Sequence, residues 1–223
     1  MRRLWRARGT PLSFRATAGL RGGRLARVDD PKADLRHYLQ LARDGLLWKL
    51  DGLSEYDARR PLTPTGTNLL GLVKHLAGVE VGYLGTCFGR PADEPLLRYD
   101  DATVKSDPTV DMWATADQTR EEIIALYLRA CAHANMTVEA LPLDAHGCIP
   151  HSPAERSGIT LHRALVHLIA ETQRHLGHAD IVRELVDGAT GHSADNPNTP
   201  AGDRGFWAAH RNRVERAARE AGR

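Results

Sequence analysis

The chain has 223 residues, 42% hydrophobic and 26% charged, the balance of a folded globular protein with one core or a closely joined pair. No run approaches the roughly 18 consecutive apolar residues of a membrane span. Three cysteines (Cys87, Cys131 and Cys148) are too few and too scattered for a disulfide framework. The lack of a C-x-x-C pair excludes a zinc ribbon or thioredoxin-type redox centre, and a reducing cytoplasm is the expected setting. The formal charge of +2 hides a division: residues 1–28 hold eight Arg and no acid, and without them 22 basic side chains face 28 acidic ones, a body of −6. An acidic body argues against nucleic acid as the main partner.

Residues 1–29 form a basic leader. Its composition suits an organellar transit peptide, a basic arm for nucleic acid or a membrane surface, or a disordered tail, and the last is the reading adopted. It has no apolar stretch of secretory length before a small-residue cleavage site, so export is not expected. Asp30-Pro31 pairs an N-cap with proline at the first helical position, and Leu35, Tyr38, Leu39, Leu46, Leu47 and Leu50 follow at helical spacing until Gly52. After a turn-rich stretch from Arg60 to Gly66, Thr67 is the expected cap of a second helix through Leu69, Leu70, Val73, Leu76, Leu84 and Phe88, stopped by Gly89 and Pro91.

Residues 90–114, with Pro91, Pro95 and Pro108, read as a long loop. Thr115 and Gln118 fit a capping box opening a third helix through Ile123, Leu126, Tyr127, Cys131 and Val138, closed by Pro142. A second long loop covers 142–159, and a fourth helix runs from near Thr160 to Val186, with Asp187-Gly188 as its stop. A polar linker with Pro197 and Pro200 leads to a short charged helix at 204–221. No segment alternates with period two, so no strand is predicted. The expectation is an all-α four-helix bundle over 30–191 with two long connections, followed by a linker and short helix over 192–223.

The fourth helix carries the chemistry. At about 100° per residue, Leu161, Leu165, Leu168, Thr172, Ala179 and Val186 define its inward stripe. His175 falls inside that stripe, Glu171 lies toward one flank, and His167 and His178 lie further round on the same side. A carboxylate and imidazoles facing a bundle interior need partners, and a cation satisfies all of them at once. Residues four apart stand about 6 Å from each other along a helix, so Glu171 and His175 can share one ion, whereas His167 and His175, about 12 Å apart, cannot. His167 with Glu171 is the alternative pair. His175 points more squarely inward, which favours the later pair and leaves His167 as a pocket residue and His178 at the opening. His75, bracketed by apolar residues on the second helix, is the best candidate for a third ligand. His37, His133, His192 and His210 read as solvated, and His146 and His151 as loop residues.

Two stretches, Pro64–Glu80 and His167–Glu184, carry a family likeness. Over about residues 30–191 the chain resembles the DinB superfamily of metal-binding four-helix bundles, specifically its DUF664 branch. The superfamily's triad is one His on the second helix and an HxxxH pair on the last bundle helix. It maps to His75 and to positions 171 and 175, with Glu171 replacing the first His, as in the mycothiol-dependent maleylpyruvate isomerase relatives. The resemblance also implies homodimers.

Two imidazoles and a carboxylate leave a coordination position open, as a catalytic site requires. Zinc is the expected metal, with nickel, iron or manganese as alternatives. The resemblance implies a low-molecular-weight thiol such as mycothiol as cosubstrate, and hence a thiol S-transferase in which the metal-held thiol attacks a small electrophile. His167 and His178 are the expected catalytic residues, as proton carriers where metal-bound water is the nucleophile, and Arg174 and Arg183 are the expected contacts of an anionic thiol. Hydrolysis or isomerisation by metal-activated water, a non-catalytic metal-binding stress protein and nucleic-acid binding through the leader are the competing readings. The loops at 90–114 and 142–159 are expected to shape the pocket, with Met112 and Trp113 as walls.

Overall fold

In the computed structural model, which describes residues 30–222 apart from 95, 96, 98, 100 and 151, the first long helix opens at Pro31. The fixed φ and missing N–H of proline suit that position. The basic leader, Pro95 and His151 lie outside the described residues. The chain divides into two units, residues 1–31 and 32–223, and the architecture described here is that of the second. Helix α1 (Pro31–Trp48) is followed by a short α2 (Glu55–Arg59), capped by the Ser54 hydroxyl. Five residues are too few for periodicity to reveal α2.

Helix α3 (Leu69–Leu84) is capped by Asn68 and not by Thr67: the Asn68 side-chain oxygen accepts from the Gly71 N–H at 2.7 Å. It ends at Leu84, short of the expected Phe88, and the chain tightens into a 3-10 turn over Thr86–Phe88. The long loop contains one short helix, α4 (Asp101–Ser106). Helix α5 (Arg120–Ala140) opens four residues after the expected box. Thr119 and Glu122 make the reciprocal bonds, while the Gln118 side chain accepts from Lys74 and from the Thr115 N–H. Both pairs satisfy the S/T-x-x-E/Q pattern, and only contacts with α3 separate them.

The second long connection holds a minimal antiparallel hairpin, which corrects the expectation of no strand. β1 (His146–Cys148) pairs with β2 (Gly158–Thr160), with Gly147 opposite Ile159, and α6 (Ala154–Ser157) lies between them. Three-residue strands leave no alternation to read. Helix α7 (Leu161–Asp187) is capped by Thr160 and closed by Gly188, whose φ of 82° is the left-handed conformation a helix C-terminus favours. Helix α8 (Arg204–Ala221), capped by Asp203, buries no residue.

The protein is thus an all-α four-helix bundle of α1, α3, α5 and α7 with two long connections and a C-terminal helix. α3 packs against both α5 and α7. The core joins Leu46 of α1, Leu70 and Leu76 of α3, Ile123 and Tyr127 of α5, and Leu176 of α7. A second cluster at the other end gathers Leu39, Leu84, Val138, Leu161 and Leu165. These stacked interiors give α3 and α7 a rigid common face. No described helix is long and apolar enough to cross a membrane.

Candidate metal centre

On α3, Leu72, Val73 and Leu76 are buried, and His75, between two such positions, is half-buried at the edge of the core. On α7 the same logic buries Leu168, Thr172, His175 and Leu176 and leaves Glu171 half-buried. Packing α3 on α7 brings these edges together. The Glu171 carboxylate lies 3.0 Å from His175 Nε2 and 4.0 Å from His75 Nε2. The two imidazole rings stand 4.9 Å apart, edge to face. Among the described residues His75, Glu171 and His175 form a group whose ligand atoms all lie within 4.8 Å of one another.

His75 is held from behind. Its Nδ1 makes a 2.7 Å hydrogen bond with Asp111 Oδ2, and that bond holds the Asp111 carboxyl below the usual carboxylate range. With Nδ1 committed to Asp111, Nε2 is the ring nitrogen turned toward Glu171. This is the orientation that carboxylate–histidine pairs impose on metal ligands. The loop is clamped onto α3 so that Asp111 arrives there. Lys74 Nζ donates to the carbonyls of Val110 and Trp113, both at 2.9 Å, and the Asn68 side chain donates to the Met112 carbonyl at 3.2 Å. Gly71 is required at this crossing, because a Cβ there would sit 1.8 Å from the Met112 carbonyl oxygen. Asp107 bonds the Thr109 N–H and the Trp113 indole, which shapes the loop itself.

The residues present fit a divalent metal. Tetrahedral coordination with bonds of about 2.1 Å sets donor atoms about 3.4 Å apart, between the two separations that Glu171 makes. His175 Nδ1 is buried with no hydrogen-bond partner. Burial, then the nearby His75, push the His175 pKa down, which keeps the ring neutral, the form a metal takes.

The other expected site residues fall into different places. His167 is half-buried with its ring 4.2 Å from that of Tyr83, outside the triad. His178 is exposed, its ring 5.4 Å from that of His175 at the solvent edge. Arg174 is exposed on the same helix. Arg183 departs from the expected contact with an anionic thiol. It is buried, donates to the carbonyls of Lys49 and Asp51 at 3.0 and 2.9 Å, and grips Asp187 at 2.8 Å. Its guanidinium ties the end of α1 to α7, and its donors are committed there.

A cleft of about 390 Å³ opens beside His75 and Asp111, lined by Val79 of α3 and by Ile149 and Pro150 of the second long connection. Met112 and Trp113 do not wall it. Met112 packs against the core, and the Trp113 indole donates to Asp107 at 2.9 Å. A second depression, of about 330 Å³, lies between α1 and α5 by Arg36 and Asn135 and contains none of the triad. Sequence reasoning missed Asp111, Ile149 and Pro150. No local signal marks them, since each reaches the site from a loop.

No curated protein matches the chain. Residues 34–188 do match the mycothiol-S-transferase family, a DinB-like family, and that span covers α1 to α7, including both halves of the His75–Glu171–His175 cluster. The chain therefore belongs to the mycothiol-S-transferase family of the DinB superfamily.

Proposed function

We propose that this protein is a metal-dependent S-transferase that joins a low-molecular-weight thiol, mycothiol or a close analogue, to a small electrophile. The observation that carries the reading is the convergence of His75, Glu171 and His175 beside a cleft. Membership of a thiol-transferase family supports it. His75 Nε2, His175 Nε2 and a Glu171 oxygen would hold the metal, zinc first. When bound, it supplies a Lewis-acid position that lowers the pKa of a thiol into the neutral range.

The chain's own thiols are poorly suited to be the nucleophile. Cys87 and Cys131 are buried, and burial pushes both pKa values up. Cys148 is exposed on β1, outside the residues that line the cleft. The nucleophile is therefore the cosubstrate's sulfur. Asp111 orients His75 by holding its Nδ1 proton. His178, at the exposed edge, takes the thiol proton to solvent, and His167 against Tyr83 is the alternative carrier. Arg174 offers a guanidinium to an anionic group on the thiol. A homodimer in the cytoplasm completes the reading, with the family as its support.

Cobalt substitution tests this proposal. Adding a small thiol to the cobalt-loaded protein is expected to produce a sulfur-to-cobalt charge-transfer band, and His75→Ala is expected to abolish it. A cobalt spectrum indifferent to thiol would overturn the transferase reading and leave a metal-binding scaffold.

A further inference from the structure

The cleft beside His75 has a chemistry of its own. One face of α3 runs along it: His75, Gly78, Val79 and Gly82 lie at helical spacings of three, four and seven and all line it. Ile149 and Pro150 of the second long connection also line it. Apart from His75 and Asp111, which belong to the metal end, the lining holds no charged side chain. Its other polar groups are neutral: the hydroxyls of Tyr83 and Thr86 and the thiol of Cys87, which burial keeps protonated.

The volume of about 390 Å³ lies within the range of small-molecule sites, near its lower end. Gly82 stands seven residues from His75, about 10 Å along the helix axis. A Cβ built at Gly82 meets no atom within 4 Å, so the space over this residue is empty. Gly82 lies in the last turn of α3, and the space that its missing Cβ leaves belongs to the open length of the cleft.

We propose that this cleft holds the electrophile, that the electrophile is uncharged and apolar and lies along α3 with its reactive carbon toward His75, and that Gly82 sets the length admitted. The inference rests on the S-transferase reading for the word electrophile, and on the cleft alone for the apolar ligand and its length limit. For an alkyl bromide the reaction forms a carbon–sulfur bond and breaks the carbon–bromine bond. Bromide leaves with the bonding pair, and the thiol proton passes to solvent.

The test uses the full chain and two pairs of probes. Binding of benzyl alcohol and of 4-phenylbutan-1-ol is measured by calorimetry, and conjugation of a small thiol with benzyl bromide and with 4-phenylbutyl bromide is followed by bromide release. Gly82→Leu is expected to weaken the long alcohol at least tenfold more than the short one, and to lower the long-to-short rate ratio by a similar factor. Gly82→Ala is expected to give an intermediate shift and keeps the test alive if the leucine variant does not fold, as judged by circular dichroism. Equal effects on the two alcohols, or none, would overturn the assignment of Gly82. Failure of the wild type to bind either alcohol would overturn the apolar cleft. A wild type that binds both alcohols as expected but conjugates neither bromide would sink the transferase reading and leave the apolar, length-limited cleft supported.

Discussion

Helix α3 carries two polar clusters five residues apart, one around the buried Glu80 and one around the half-buried His75, and the bundle treats them differently. At Glu80 the carboxylate is fully buried, and both its oxygens receive the Arg43 guanidinium at 2.6 Å. Arg43 also donates to Asn135 at 2.9 Å. Burial by itself disfavours the Arg43 charge, but the hydrogen bond and charge of Glu80 outweigh it, so the guanidinium pKa stays raised. The cluster is closed: each charge has its counter-charge and hydrogen bonds. At His75 the acceptors outnumber the donors. Two imidazoles and the Glu171 carboxylate converge, with His175 Nε2 bonded to Glu171 at 3.0 Å, His75 held by Asp111 from behind, and His175 Nδ1 buried without a partner among the described residues. A closed polar cluster leaves nothing for a ligand to satisfy, whereas the His75 cluster keeps a buried imidazole nitrogen unpaired, and the metal proposal rests on that difference.

The largest expected effect separates the two clusters directly. His75→Ala or His175→Ala should abolish stoichiometric metal, measured by elemental analysis of protein purified without chelator, while the helical circular dichroism persists. Stoichiometric metal in both variants would refute the ligand assignment. Next comes Glu80→Ala, which leaves the Arg43 charge buried and unpaired. It should cost about 3–5 kcal/mol of stability in urea unfolding with metal stoichiometry intact in the folded fraction. A loss under 1 kcal/mol would mean that this cluster is not the structural one.

Asp111→Ala should weaken metal affinity about 10- to 100-fold in chelator competition, since the ring it orients remains; unchanged affinity would remove Asp111 from the site. Arg183→Ala should cost about 2 kcal/mol through unpaired carbonyls at the end of α1 and leave thiol affinity unmoved, a result opposite to that of a thiol-binding arginine.

The smallest effect is one of pH. Arg183 holds the Asp187 carboxyl below its ordinary value of 3.8. A depressed carboxylate contributes stability that is complete above the unfolded value and is lost as pH falls through the folded one. Acidification below about pH 3.8 should therefore weaken this clamp, and Asp187→Asn should flatten that part of the stability curve. The contribution is modest because the Asp187 side chain is 38% exposed. An unaltered curve in the variant would show that the clamp does not titrate.

Much of this molecule was legible residue by residue. The Asp30-Pro31 start, the Thr160 cap and the Gly188 stop are local rules, and the structure begins or ends helices there. The inward stripe of α7 is also local, and Leu161, Leu165, Leu168, Thr172, His175 and Ala179 are buried as expected, with Val186 only half-buried in the last turn. Where two local rules competed, sequence reasoning chose wrongly. Thr67 and Asn68 both suit an N-cap, and Thr115–Gln118 and Thr119–Glu122 both suit a box. Contacts with Met112 and Lys74, distant in the chain, decided between them. Arg183 was misread for a related reason: beside a ligand helix an arginine suggests an anion, and only the packing of α1 against α7 turns it toward carbonyls.

Periodicity, the caps with no local rival and the spacing of Glu171 and His175 on one helix were settled by the chain alone, because each depends on residues within a turn or two of one another. That the imidazole of His75 meets that pair, that Asp111 stands behind it, and that Ile149 and Pro150 line one cleft with Gly82 were decided only when the bundle assembled. These contacts span 36 to 100 residues of chain, and their register comes from the packed faces of α3 and α7 and from two loops clamped at their ends, which no local rule encodes.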